Sequence, residues 1–247
     1  MTGVQTCALP ISLATLAAAG YRLFIADFDN GLDILKDPAV LDPQFHANVF
    51  FKTFYDKNML MSGKMLPQAS GFAEFTVAMG DWKEDGKSMG GIYSWGDKDV
   101  FVIDSLTLLG NAIMNQVLQL SGKAGQKPSL PDFGNAVDTQ EAVIETIYNP
   151  AVKCNIVVTA HLQRQGDDAS GGAQKAFPSA LGKKLPPKIG RYFNTTVLIK
   201  KTGMGAKVIR ELHTSATFDI DLKVSKPSVV PTVMEPDLGK LFALLKQ

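Results

Sequence analysis

Residues 100–104, Val-Phe-Val-Ile-Asp, constrain this chain more than any other stretch, because four apolar residues in a row end on an acid. A run that is apolar on both faces belongs to a strand buried between two layers, and its last residue is delivered to the carboxyl edge of a parallel sheet. Two further runs read the same way. Residues 21–29 spell a strand with Asp27 and Asp29 at its exit, and residues 155–160 spell one that leads through Thr159 to His161. Helices are predicted over 106–120 and 139–148. Strands alternating with helices predict an α/β fold, a mainly parallel sheet covered on both faces.

The remaining stretches fill in around that frame. Residues 13–20 form a strong helix closed by Gly20. A strand is predicted over 49–55, a helix over 70–82 and a polar turn over 83–91. Residues 121–135, rich in Gly, Lys and Pro, read as an exposed loop. Residues 163–172 carry no core-forming pattern and read as a mobile segment. Two more strands are expected at 195–200 and 208–212. From residue 226 the Pro-spaced sequence reads as a linker, and 238–245 as a short amphipathic helix that docks on a partner or packs on its own domain.

Composition narrows the function classes. Of 247 residues, 45% are hydrophobic and 20% charged, which suits a globular chain with a full core. A net charge of +1 exerts no global pull toward nucleic acid or membrane, so any DNA contact has to be local. No apolar run reaches membrane-spanning length. Cys7 and Cys154 are too few for a disulfide framework and fit a reducing, cytoplasmic compartment. His46, His161 and His213 lack metal-ligand spacing, so zinc is not expected.

The first eleven residues, Met-Thr-Gly-Val-Gln-Thr-Cys-Ala-Leu-Pro-Ile, resemble the conceptual translation of a sequencing adapter with a GTG start read as Met. They lack the basic n-region of a signal peptide. The expected division is therefore an artefactual segment 1–11, a core 12–225, and a linker with its helix over 226–247.

Each chemistry-bearing residue has a structural alternative. Asp104 either caps the following helix or holds Mg²⁺, and Ser105 either caps that helix or contacts a cofactor. Asp27 and Asp29 either shape an Asp-Asn-Gly turn or orient a water molecule. His161, beside Thr159, is either a satisfied histidine or a polar group reading the state of a phosphate. Arg164, Lys175, Lys183, Lys184, Lys188 and Arg191 form either a solvated face or a nucleic-acid-binding set, with Phe177 as a stacking surface. Lys200 and Lys201 are exposed strand-end lysines or reach a neighbouring subunit's nucleotide.

Taken in order, the segments LFIADFDNGLD, VFVIDSLTLL and NIVVTAHLQR resemble the RecA-like P-loop ATPase core, most closely phage-type AAA-family proteins of single-strand annealing and recombination. The segment FPSALGKKLPPKIGRYFN falls in that family's DNA-binding loop region. The resemblance runs from about Leu13 to Lys226. It implies ATP and Mg²⁺ as cofactors, Asp104 as the metal-side carboxylate, and Asp104, Ser105 and Thr159 as cofactor-binding residues. It places the catalytic roles on Asp29, as activator of water, and on His161. It further implies single-stranded DNA as partner, allows a homo-oligomer, and leaves a replication or recombination partner for the C-terminal helix. The chain has no G-x-x-x-x-G-K-[ST] motif. The first strand and phosphate loop of the intact protein are expected ahead of Leu13, and this chain is expected to be inactive. Two other readings stand beside it. One is a nucleotide-gated DNA-binding module that does not hydrolyse. The other is a phosphatase resembling the haloacid dehalogenases, with Asp27 as nucleophile, Asp29 as acid and Gly166-Asp167-Asp168 as a late acidic site.

Overall fold

The computed structural model describes residues 9–61, 63–166, 174–203 and 208–247. In chain order the elements are α1 (Leu9–Ala18), β1 (Arg22–Asp27), β2 (Val49–Thr53), the hairpin β3 (Lys57–Met61) and β4 (Lys64–Gln68), and α2 (Gly71–Gly80). A small hairpin follows, β5 (Lys83–Glu84) and β6 (Lys87–Ser88). Then come β7 (Asp99–Asp104), α3 (Leu106–Leu120), α4 (Leu130–Tyr148) and β8 (Asn155–Val158). The last third holds β9 (Leu162–Gln165), β10 (Lys175–Pro178), α5 (Pro186–Tyr192), β11 (Leu198–Thr202), β12 (Ile209–His213), β13 (Val233–Met234) and α6 (Leu238–Lys246).

The centre is a four-stranded sheet in the order β2-β1-β7-β8, parallel at every pairing. All six residues of β7 are buried, as a strand covered on both faces requires. Alternation sends Phe24, Ala26, Phe101 and Ile103 to one face, where they pack with residues of α2, α3 and α4. Leu23, Ile25, Val100 and Val102 go to the other, against α1 and α6. Trp82, Trp95 and Phe75 thicken the first layer, with Trp95 stacked on Phe24 at 4.1 Å between ring centroids.

The remaining strands are antiparallel. They form the hairpins β3–β4, β5–β6 and β9–β10 and a separate three-stranded sheet, β11-β12-β13. The sequence reading of a mainly parallel sheet therefore describes the centre of the molecule only. Other boundaries also moved. The loop predicted over 121–135 ends early, because Asp132 accepts from the Ser129 amide at 2.7 Å and from its hydroxyl at 2.6 Å. That reciprocal cap, with Lys123 on the same carboxylate, starts α4 at Leu130 rather than Thr139. Residues 163–165 are paired strand rather than a mobile segment, while 167–173 lie outside the described residues. Helix α1 takes in Leu9, Pro10 and Ile11; residues 1–8, Cys7 among them, lie outside the described residues.

The Pro-spaced segment after residue 226 does not run free as a linker. Val230 is buried, the Thr214 hydroxyl donates to the Pro231 carbonyl at 2.6 Å, and β13 adds to β12. Proline spacing reports backbone stiffness and is silent on burial, which Val230 supplies. No helix among the described residues is long and apolar enough to cross a membrane.

Candidate active site

The parallel register sets Asp27 directly beside Asp104, and Thr159 follows β8 on the other side. Three strand ends thus bring their polar residues to one edge of the sheet. Asp104 is 3% exposed and accepts a hydrogen bond from the Thr159 hydroxyl at 2.7 Å. Burial, reinforced by the charges of Asp29 and Asp27, pushes its carboxyl up to about 7, while the Thr159 bond pulls the other way. The Asp104–Ser105 peptide is cis.

Asp27 and Asp29 have separate tasks. β1 ends at Asp27, so strand alternation does not extend to Asp29. Asp27 is 1% exposed, and its Oδ1 accepts from the amides of Asp29 (3.0 Å) and Asn30 (2.7 Å), an Asx turn. Burial raises its carboxyl despite those amides. Its other oxygen faces the Thr53 hydroxyl at 3.4 Å. A carboxylate so occupied shapes the turn and has no free approach as a nucleophile. Asp167 and Asp168, the rest of the phosphatase reading, lie outside the described residues.

Asp29 is presented by that turn. Its side chain is 6% exposed, and Oδ1 accepts from the Ser105 hydroxyl at 2.7 Å. Oδ2 lies 3.4 Å from His161 Nε2, within ion-pair distance. The contact lacks hydrogen-bond geometry, and neither buried atom has another hydrogen-bond partner. His161 as a whole is more open, with 40% of its side chain exposed. Its amide donates to the Thr107 hydroxyl at 3.0 Å, and its carbonyl accepts from the Ser179 amide at 2.7 Å. Ser105 also accepts from the Leu108 amide at 3.4 Å, so one hydroxyl caps α3 and orients Asp29.

Behind this edge stands a residue that the sequence reading passed over. Gln140 is fully buried; its Nε2 donates to the Leu106 carbonyl at 2.8 Å and its Oε1 accepts from the Leu181 amide at 2.8 Å. It thereby ties α4 to the first turn of α3, next to Ser105. Its signal was there: a polar residue on an otherwise apolar stripe with Ala136, Val143, Ile144 and Ile147. Gln140→Leu leaves the part-buried Leu181 amide unpaired and strips the Leu106 carbonyl of its second hydrogen bond, beside the one it takes within α3, an expected loss of about 2–3 kcal/mol. Thermal melts should register roughly 5–10 °C. A melting point within about 1 °C of the parent would remove Gln140 from this role.

The six basic residues do not form one cluster. Arg164 and Lys175 sit near the connecting end of the β9–β10 hairpin and pair with Asp219 (3.2 Å) and Asp221 (3.6 Å). Lys188 pairs with Glu141 at 3.4 Å, and the Arg191 guanidinium lies over the Tyr192 ring. Lys183 and Lys184 are exposed just ahead of α5, and Phe177 is half-buried in β10. Lys200 and Lys201 are exposed in β11.

Among the described residues, no group of three or more His, Cys, Asp or Glu side chains is arranged to grip a metal directly. Mg²⁺ commonly keeps several waters and takes only one or two carboxylates, so Asp104 with Asp29 Oδ2, which accepts no hydrogen bond, suits a water-mediated Mg²⁺. Nucleotide phosphates do not fit equally well, because no G-x-x-x-x-G-K-[ST] loop opens any helix of this sequence. No family model, curated protein or solved structure matches the chain.

Proposed function

We propose that this chain carries the carboxylate half of a Mg²⁺-dependent ATP-hydrolysing site of RecA-like type, in a protein that acts on single-stranded DNA during annealing or recombination. The carrying observation is the convergence of Asp104–Thr159 and Ser105–Asp29–His161 at the carboxyl edge of three adjacent parallel strands. Bound Mg²⁺ would supply the positive charge that these crowded, desolvated acids lack. In this reading Asp104 holds the metal's water shell, with Thr159 fixing its rotamer. Asp29, held at Oδ1 by Ser105, keeps Oδ2 available to accept a proton from water. His161 faces that same oxygen and responds to its charge. Arg164, Lys175, Lys183, Lys184, Lys188 and Arg191 are the DNA-side residues of this reading, and a homo-oligomer is compatible with it. Opposing acids would have to release Arg164, Lys175 and Lys188 for them to meet phosphate.

The cradle for the nucleotide is not spelled in this sequence, so the chain as it stands is expected to bind Mg·ATP more weakly than about 1 mM. Isothermal titration checks this, and micromolar binding would overturn it. The fuller test joins a strand and a G-x-x-x-x-G-K-[ST] loop ahead of α1 and measures Mg²⁺-dependent ATP turnover. Turnover abolished by Asp104→Ala and by Asp29→Asn is the expected result. A phosphate loop that binds ATP without any turnover dependent on these acids would sink the hydrolase reading.

A further inference from the structure

Phe218 is the most exposed aromatic residue among those described, at 84%. Its neighbours do not extend it into an apolar patch, since the exposed Ser215, Ala216 and Thr217 ahead of it are small or polar and Asp219 follows. A protein partner buries a contiguous apolar core, which this stretch does not offer. A single flat ring in polar surroundings suits another flat ring, whose face is apolar and whose edge stays wet.

The backbone on either side of the ring is fixed. The Thr217 amide donates to the Ile220 carbonyl at 2.9 Å, and the Thr217 hydroxyl to the Asp219 carboxylate at 2.7 Å. The Ala176 amide of β10 donates to the Asp219 carbonyl at 2.6 Å, and Ile220 is buried in a cluster with Ala176. An aromatic on such a turn has only its own side-chain torsions left to order, so little entropy opposes stacking.

Cations flank the turn. Arg164 Nη1 lies 3.2 Å from the Asp219 carboxylate, one residue from Phe218, and 54% of the Arg164 side chain is exposed. Lys175, next to Ala176, is half exposed and stands 3.6 Å from Asp221. Exposed ion pairs of this kind are weak, so phosphate can compete for both cations. The β9–β10 hairpin joins this turn to the carboxylate edge. At its base the Ser179 amide donates to the His161 carbonyl, and at its far end Arg164 and Ala176 hold Asp219. The four residues of β9 between them span about 13 Å.

We propose that Phe218 is a base-stacking platform for single-stranded DNA, with Arg164 and Lys175 beside it meeting the phosphates. The ring takes the role that the sequence reading gave to Phe177, which β10 holds half-buried. Such a platform rests on the reading of single-stranded DNA as partner, and adds to it the place where a base docks.

The test uses the full chain at about 50 mM salt and two labelled strands of about 16 nucleotides, oligo-dT and an abasic strand of equal length. The parent is expected to bind oligo-dT at least about tenfold more tightly than the abasic strand. Phe218→Ala should remove most of that preference and leave abasic binding unchanged. The dependence of affinity on salt should keep its slope, because the phosphate contacts are untouched. Its melting temperature should stay within about 1 °C of the parent's, since the ring is not packed. Phe218→Trp gives a direct readout. Trp82 and Trp95 are 0% and 3% exposed, so the introduced indole is the exposed emitter. Oligo-dT should quench that emission and the abasic strand should not.

A parent that binds both strands equally, a preference that survives Phe218→Ala, or an unquenched Phe218→Trp variant would overturn the platform and leave the DNA reading standing. A parent that binds neither strand would fail the DNA reading itself, and the platform with it. An oligo-rU strand bound about tenfold more tightly than oligo-dT would assign the ring to RNA. A parent dimer that Phe218→Ala dissolves would assign it to a second copy. Either result also overturns the proposal.

Discussion

Asp104→Asn is expected to stabilise this protein at pH 8 by about 2–4 kcal/mol, which thermal melts should report as roughly 5–10 °C. The sign follows from proton linkage. The folded-state carboxyl is raised from 3.8 to about 7, so between those values the native state binds more protons than the unfolded chain. Stability from this group is therefore highest below pH 4 and falls as pH climbs toward 7. Asp27, also raised by burial, slopes the same way. Asparagine is nearly isosteric, keeps an oxygen to accept from the Thr159 hydroxyl, and carries no charge to desolvate. The variant should thus lose most of the parent's decline in melting temperature between pH 5 and pH 8. Millimolar MgCl₂ should raise the parent's melting point at pH 8 and leave the variant's unchanged, since a cation relieves the charge that the substitution has removed. A parent profile that is flat over this range, or a variant less stable than the parent at pH 8, would mean that Asp104 is already compensated and that no cation is needed there.

How much of this was readable in advance depends on distance along the chain. Asp104, Thr159 and His161 each end or follow an apolar run, and parallel strands align their carboxyl ends, so their meeting could be read from the runs alone. The division of labour between Asp27 and Asp29 could not. It depends on where β1 stops and on which acid takes the turn amides, two hydrogen bonds that the spacing does not distinguish. The partners of the basic residues were hidden for a similar reason. Asp219 lies 55 positions from Arg164, and a run of positive charge carries no record of the acids that fold against it. The β3–β4 hairpin escaped notice because its strands, Lys-Asn-Met-Leu-Met and Lys-Met-Leu-Pro-Gln, lack a period-two pattern. Gln140 was legible only as an exception within a stripe, and such exceptions gain meaning once the facing carbonyl and amide are known.

Truncation after Pro236 is expected to abolish cooperative folding, although the sequence from residue 226 reads as a dispensable linker and tail. α6 lies along α1, and Gly239 makes the close approach possible. Its amide donates to the Thr15 hydroxyl at 3.1 Å, and a Cβ there would meet the Thr15 carbonyl oxygen at 2.7 Å. Leu238 and Leu241 are 5% and 2% exposed, Phe242 packs edge-on to Tyr21 at 5.6 Å, and Leu244 and Leu245 close the layer. Together these side chains cover the face of the sheet formed by Leu23, Ile25, Val100 and Val102. Their removal forfeits on the order of 5–10 kcal/mol of apolar burial, comparable with the whole stability of a typical domain. Circular dichroism should show a broad, non-cooperative melt, with dye binding to the exposed face. Leu241→Ala, a milder change, should cost about 2–5 kcal/mol while keeping the transition sharp. A truncated chain that melts cooperatively within a few degrees of the parent would restore the reading of a tail free to dock elsewhere. The same helix lines, through Leu238, Leu241 and Phe242, a cavity that Ile156 and Val158 of β8 also line, so its loss opens that cavity as well as stripping one layer from the sheet. A segment with both of those tasks belongs to the core that positions Asp104, and its stability should be coupled to the carboxylate edge rather than independent of it.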